Sequence, residues 1–218
     1  MTTLLLRLSA PMQAWGTQSN FTHRDTGQEP SKSGVVGLLC AALGLPRFTD
    51  VTYLSALRMA VRVDREGMVR RDYHTAGMGG VYKVSGGIKR QLVPSDRYYL
   101  ADAKFLVGME GDYTTLQRLF DALQRPAWLL FLGRKAFIPS ERVWLTDGLQ
   151  DGSLEDVLTT YPWLGRGTPP EQLRVVVDDP NGEAVRNDYV LSFEPRRFLP
   201  RRVTTDFIQT PVPAVEEE

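Results

Sequence analysis

The run VVGLLCAALGL, from Val35 to Leu45, carries no charge, hydroxyl or amide. It is far shorter than the roughly 20 apolar residues that cross a bilayer, so it reads as a helix buried inside a globular domain. Val35, Val36, Leu38, Leu39, Ala41, Ala42 and Leu43 cover nearly all sides of that helix. A helix that is apolar all round has to be covered all round. The 218 residues, 42% of them hydrophobic, suffice for such a core in one large domain or two small ones. Directly before the run stands PSKSG, residues 30 to 34. Ser31 or Ser33 can cap the free amides of the helix, and Gly44 is placed to stop it. The same amides and the partial positive charge of a helix N-terminus can instead seat a phosphate on Ser31, Ser33 and the Gly34 amide, with Lys32 adding a full charge. The motif is not a P-loop, because GxxxxGK[ST] occurs nowhere in the chain.

Around this helix the elements follow an order. TLLLRLS, residues 3 to 9, reads as a strand with Arg7 at an exposed position, ended by Ala10 and Pro11. Residues 11 to 30 form a long loop, a length that marks functional or disordered segments, and Trp15 and Phe21 argue against disorder. Beyond the helix come a helical segment at 49 to 58 and a strand at 59 to 63. RYYLADAKFLVGM, 97 to 109, keeps a strand period. YTTLQRLFDALQRP has Tyr113, Leu116, Leu119, Phe120 and Leu123 at helical spacing, and WLLFLG, 128 to 133, reads as an apolar strand. Strand, helix, strand, strand, helix, strand is the ferredoxin-like split βαβ pattern, so an α+β fold is expected. The excursion from 64 to 96, with GMGG and SGG around VYKV, reads as a projecting hairpin. Residues 1 to 140 would form this domain, and 141 to 218 a smaller β-rich part. That part holds a short helix in SLEDVLTTY, strands in LRVVVDD, DYVLSF and RRFLPRRV, and a solvated acidic tail.

Lys and Arg number 26 and Asp and Glu number 26, so total charge points to no partner. The distribution is uneven. Between 70 and 97, Arg70, Arg71, Lys83, Lys89, Arg90 and Arg97 face only Asp72 and Asp96. Arg196, Arg197, Arg201 and Arg202 form a second basic group, while DGLQDGSLED and VDDPNGE are acidic. Cations interleaved with Tyr73, Tyr82, Tyr98, Tyr99 and glycines suit a nucleic-acid groove, in which cations meet phosphates and rings stack on bases. A solvated hairpin whose lysines blunt an edge strand is the competing reading. The two histidines, His23 and His74, leave little for catalysis. On paper His74, Tyr73 and Lys83 can supply the base, acid and charge stabiliser of metal-independent RNA cleavage. With no HxH, CxxC or HExxH spacing, neither a metal nor a cofactor is expected. A lone cysteine inside the apolar run, no signal-like N-terminus and no stretch of spanning length point to a reducing, cytoplasmic setting.

The segments LLLRLSAPMQAWG, THRDTGQEPSKSGVVGLLCAALGLPR, RDYHT, RYYLADAKF and FLGRKAFIPS, in that order, resemble the CasD-type subunits of the type I-E CRISPR surveillance complex, Cascade. These belong to the repeat-associated RNA-binding proteins of ferredoxin-like fold, and the likeness runs to about residue 140. It implies an antiviral ribonucleoprotein in which one copy holds the 5′ handle of the CRISPR RNA and caps the backbone filament. The excursion would be a thumb reaching toward the adjacent backbone subunit, and the large subunit that reads target DNA would be a further neighbour. Carried onto this chain, the RNA-contact candidates are Arg24, Ser31, Lys32, Ser33, Gly34, Arg71, Tyr73, His74, Arg134 and Lys135, joined by Tyr82, Lys83, Lys89 and Arg90 of the thumb. Trp15 is equally a packing residue or a base-stacking one. Some CRISPR subtypes use a related subunit to cut precursor RNA, which keeps an endoribonuclease centred on His74 as the alternative. Type I-E systems have a separate nuclease, so no catalytic activity is expected. A protein-only scaffold is the third reading.

Overall fold

Leu4, Leu5 and Leu6 are all fully buried, which a strand achieves only when both faces of its sheet are covered. A computed structural model describes residues 1–16, 22–83, 85–89 and 92–211, and shows how this happens. In chain order the elements are β1 (Thr2–Ser9), β2 (Met12–Gln13), β3 (His23–Arg24), α1 (Lys32–Leu43), α2 (Thr52–Ser55), β4 (Arg58–Arg65), β5 (Met68–Ala76), β6 (Val81–Tyr82), β7 (Ile88–Lys89), β8 (Val93–Ala101), β9 (Lys104–Gly111), α3 (Tyr113–Gln124), β10 (Trp144–Asp151), α4 (Leu154–Thr160), β11 (Gln172–Asp178), β12 (Ala184–Phe193) and β13 (Arg196–Gln209). The fold is α+β, with few helices on largely antiparallel sheets.

The main sheet has the order β10-β1-β9-β4-β11-β13-β12, antiparallel throughout. Alternate residues of its central strands feed two cores. Leu4, Leu6 and Leu8, with Met59, Val61, Phe105 and Val107, pack against α1 and α3, whereas Leu5, Ala60 and Leu106 pack against α4. Helix α1 meets the sheet, α3 and β12, and so buries Val35, Val36, Leu38, Leu39, Cys40 and Ala42. Ser31 caps it and Gly44, at φ 69°, ends it. Helix α3 shows one face, Leu116, Leu119 and Leu123, to the core and leaves Tyr113 exposed.

Three sequence expectations are corrected. The strand read over 97 to 109 is two strands, because the chain turns at Asp102 (φ 57°) and moves from one sheet to another. WLLFLG is irregular: Ala127 and Trp128 donate their amides to the carbonyls of Ala42 and Ala41, which docks the segment on the end of α1 and leaves Trp128 and Leu129 exposed. The strand beside β1 is instead β10, whose sequence WLTDGLQD is half polar because it lies at a sheet edge. The helical segment at 49 to 58 shrinks to the short α2, since β4 already begins at Arg58.

A second sheet stands off the first. Strand β8 is its centre, flanked by β5 on one side and by β2 and β3 on the other. Strands β5 and β8 are registered from Met68↔Ala101 to Ala76↔Val93 and form a long ribbon with β6 and β7 toward its tip. Gly67 (φ 73°) turns β4 into β5, and a Cβ there would lie 2.7 Å from the Ala101 carbonyl oxygen. Every residue from Met68 to Thr75 is exposed. Both faces of β5 therefore meet solvent, as a projection requires.

Candidate nucleic-acid interface

The PSKSG segment has the chemistry of an anion seat, and the anion that fills it comes from the protein itself. Ser31, in extended conformation (φ −73°, ψ 147°), accepts a hydrogen bond from the Gly34 amide at 3.3 Å and lies 3.4 Å from the Ser33 hydroxyl. The Lys32 amide donates to Asp188 Oδ2 at 2.7 Å, so a carboxylate occupies the helix N-terminus. The Lys32 ammonium, its side chain 4% exposed, donates to Asp178 Oδ2 at 2.6 Å and lies 5.4 Å from the centre of the Tyr189 ring. Arg201 completes the group, bonding Asp188 through Nε at 2.7 Å and Nη2 at 3.1 Å and reaching Asp178 through Nη1. Two cations and two carboxylates balance. Burial lowers the pKa of Lys32, and the nearby Asp178 offsets this only in part. For Arg201 burial works in the same direction, but Asp188 and Asp178 together outweigh it and raise its pKa.

The rest of the seat is packing. Trp15 is 1% exposed, and its indole N–H donates to Gln13 Oε1 at 3.2 Å. The Gln13 amide in turn donates to the Ala103 carbonyl at 2.8 Å. Trp15 is therefore a structural residue, and its ring lies where a Cβ on Gly34 would be, 2.8 Å from Cε3. Glu29, just before the helix, is gripped by Arg174 and Arg186 at 3.0 Å each.

The other candidates gather on the second sheet and the loop beside it. Arg71, Tyr73 and His74 lie on β5, Tyr82 and Lys89 on β6 and β7, and Lys83 follows β6. Arg90 lies outside the described residues, as do Phe21 and the acidic tail. Tyr73 is 62% exposed and Tyr82 87%. Pairing sorts the ribbon into two faces. On one, Arg71 donates to Asp96 at 2.8 Å, Tyr73 lies opposite Asp96, and the rings of His23 and Tyr98 meet at 5.3 Å. On the other, Arg70 lies opposite Tyr99, Asp72 opposite Arg97 and His74 opposite Ser95, with Nδ1 of His74 3.7 Å from Asp72. β3 adds its own residues to both faces, His23 beside Asp96 and Arg24 beside Arg97.

Arg134 reaches this sheet from the loop after α3. It donates to the Tyr98 carbonyl at 2.7 Å and lies over the Phe137 ring at 5.3 Å, while Lys135 is exposed. In the sequence Arg97 counts among the charges without standing out, and nothing marks Phe137. The structure thus brings Arg24, Arg134 and the β5 residues together, and leaves Ser31 and Lys32 in the buried group. Among the described residues no three His, Cys, Asp or Glu side chains converge as metal ligands, and no helix is long and apolar enough to cross a membrane.

These features define a class: an α+β protein whose antiparallel sheet carries a projecting ribbon lined with cations and aromatic rings. Residues 3–208 match the model of the family described as CRISPR-associated protein (Cas_Cas5), and the chain belongs to that family. The CRISPR system Cascade subunit CasD of Escherichia coli (strain K12) is 36% identical over an alignment of 148 residues that covers 61% of this chain and 65% of that protein. The match thus spans just under two thirds of that relative's length. A solved structure described as a crystal structure of a Cas protein is 42% identical over 97% of each chain, with a TM-score of 0.81. A chain of a CRISPR RNA-guided surveillance complex is 32% identical, covers 96% of this chain and 91% of its own, and has a TM-score of 0.84.

Proposed function

We propose that this chain is a non-catalytic, cytoplasmic subunit of a type I-E Cascade complex, holding the 5′ handle of the CRISPR RNA, capping the backbone filament and helping to place the large subunit for target recognition. The observation that carries the reading is the β5–β8 ribbon, exposed on both faces of β5 and bearing Arg70, Arg71, Tyr73 and Tyr82. Its agreement with a surveillance-complex chain over 96% of the protein supports assembly into the same kind of particle. Guanidiniums would fix RNA phosphates while exposed rings take splayed bases. The thumb would meet the neighbouring backbone subunit.

The core is read as ferredoxin-like, because β1, α1, β4, β9, α3 and β10 form a βαββαβ unit whose strands lie in the order β10-β1-β9-β4. This unit is proposed to end with β10, beyond a boundary at 140, and the C-terminal strands to continue its sheet through the β4–β11 pair. The non-catalytic assignment draws support from His74, which is half exposed and has Asp72, 3.7 Å away, as its acidic neighbour among the described residues. The test is a 5′-labelled repeat RNA incubated with the protein in EDTA across a salt series. Salt-sensitive binding without cleavage is expected. A discrete cut, lost in His74→Ala with binding kept, would replace this reading with an endoribonuclease, and salt-insensitive or absent RNA binding would leave a protein-only scaffold.

A further inference from the structure

We infer that the phosphate seat of this protein lies at the root of the ribbon, where Arg24, Arg97 and Arg134 converge on one face, and that it takes a backbone phosphodiester of single-stranded RNA. The inference rests on the RNA-holding reading and names the group that would carry it. Strand register makes the convergence. Asp72, Arg97 and Arg24 are lateral neighbours across β5, β8 and β3, and laterally paired residues share a face of a sheet. Two residues along β8, on the same face, Tyr99 lies opposite Arg70. Phe137 meets the Tyr99 ring at 5.9 Å and carries the Arg134 guanidinium above it, so aromatic rings floor the cluster. Four guanidiniums gather here, with Asp72 and Asp25 as the nearby carboxylates.

The crowding of like charge is felt at Arg134, whose pKa is lowered first by burial, then by Arg97 and Arg24, against opposing Asp72 and Asp25. A partly buried cation crowded by like charges is relieved by an anion, and a phosphodiester brings one charge and two acceptor oxygens to a forked donor. The cations divide the work. Arg134 spends its donors on backbone, bonding the Tyr98 carbonyl at 2.7 Å and the Arg24 carbonyl at 3.5 Å. It is a positioning residue that ties β3 to β8. The described partner of the Arg97 guanidinium is the neutral hydroxyl of Ser95 at 3.0 Å, so its charge is offered to RNA. The α1 N-terminus contributes none, since Asp188 already fills it.

The experiment measures repeat-RNA affinity of the full chain between low and moderate salt for the wild type and three variants. Arg97→Gln is expected to lower affinity about tenfold and to reduce the slope of log affinity against log salt by about 0.7, the share of one single-strand phosphate contact. Arg134→Lys keeps its charge but loses the fork and the ring contact. It should weaken binding several-fold with a slope like the wild type's, measured where both proteins are folded. Arg71→Gln, on the opposite face and already paired with Asp96, should leave the slope nearer to that of the wild type than Arg97→Gln does. A wild type that binds RNA with salt sensitivity, beside an Arg97→Gln variant of equal affinity and slope, overturns the seat and leaves the RNA-holding reading intact. A wild type that binds no RNA overturns that reading itself. Unchanged RNA binding with loss of a protein neighbour would reassign the cluster to an acidic partner protein.

Discussion

Replacing Lys32 with Met, Asp178 with Asn, and both together should separate a structural lysine from a ligand-binding one. At an effective dielectric near 20, opposite charges 2.6 Å apart attract by about 6 kcal/mol. Desolvation of each ion costs several kcal/mol in return, so the pair's net worth depends on what remains when one member goes. For Lys32 burial outweighs attraction, as its lowered pKa shows, so the fold holds this charge at a loss. Lys32→Met leaves Asp178 still accepting from Arg201 and from the Met59 amide, and should cost about 1.5–3 kcal/mol, the worth of one hydrogen bond to a charged group. Asp178→Asn leaves two buried cations to share Asp188 and should cost about 3–5 kcal/mol. The double variant keeps the Arg201–Asp188 pair in balance and should fall at least about 1 kcal/mol short of the sum. Urea unfolding at neutral pH reads all four corners of the cycle. Additive costs, or Lys32→Met costing more than Asp178→Asn, would refute the charge-balance argument. Repeat-RNA affinity should survive Lys32→Met. Its loss at unchanged stability would return Lys32 to the interface.

Gly34→Ala should destabilise the protein by about 1–2 kcal/mol: the helix-propensity gain is at most about 1 kcal/mol, and the overpacking cost against a wedged indole is about 1–3 kcal/mol. A raised urea midpoint would show that Trp15 can yield. Burial pushes the Cys40 thiol up to about 11, so alkylation at pH 8 should be very slow in the native protein and fast in urea. The unfolded chain loses this proton first, so Cys40 takes stability away as pH rises from about 9 toward 11, and Cys40→Ala should flatten that decline in an unfolding series. Arg62, fully buried, is held by Asp64 at 2.7 and 2.9 Å and donates to the carbonyls of Leu158, Tyr161 and Pro162. Arg62→Met strands Asp64 and should cost about 3–5 kcal/mol in thermal or urea unfolding, with a cost below about 1 kcal/mol counting against the network.

What the sequence shows of the fold is what short-range pattern can carry. Helices α1 and α3 are legible because one is apolar all round and the other along a single stripe, each with a capping side chain, Ser31 or Asp112, at its start. The corner at Asp102 is hidden because apolar alternation continues unbroken from β8 into β9, although the two strands belong to different sheets. WLLFLG misleads in the opposite way. Leu132 is buried, but Trp128 and Leu129 are not, and hydropathy cannot distinguish a covered strand from an apolar loop pinned to a helix end. β10 is missed for the complementary reason, since an edge strand has one side to satisfy and needs few apolar residues.

The site divides along the same line. PSKSG announces an anion-binding helix N-terminus, and that chemistry is present, but its carboxylates, Asp178 and Asp188, lie 146 and 156 positions farther along the chain. A local motif thus specifies the kind of partner without saying whether the partner is RNA or the protein itself. Arg97 illustrates the converse. Its neighbours Arg24 and Arg134 come from a two-residue strand paired in parallel with β8 and from an irregular loop, and neither arrangement has a sequence period. The charge count over 70 to 97 marks the basic segment, but only strand register shows which of its cations share a face. Arg71 and Arg97 look equivalent as letters, yet one is matched by Asp96 on its own face and the other stands beside Arg24 and within the field of Arg134. If the seat is where the register places it, the two substitutions will differ in salt slope as well as in affinity, because Arg71 already sits in an ion pair with Asp96, whereas the described hydrogen-bond partner of Arg97 is a neutral hydroxyl.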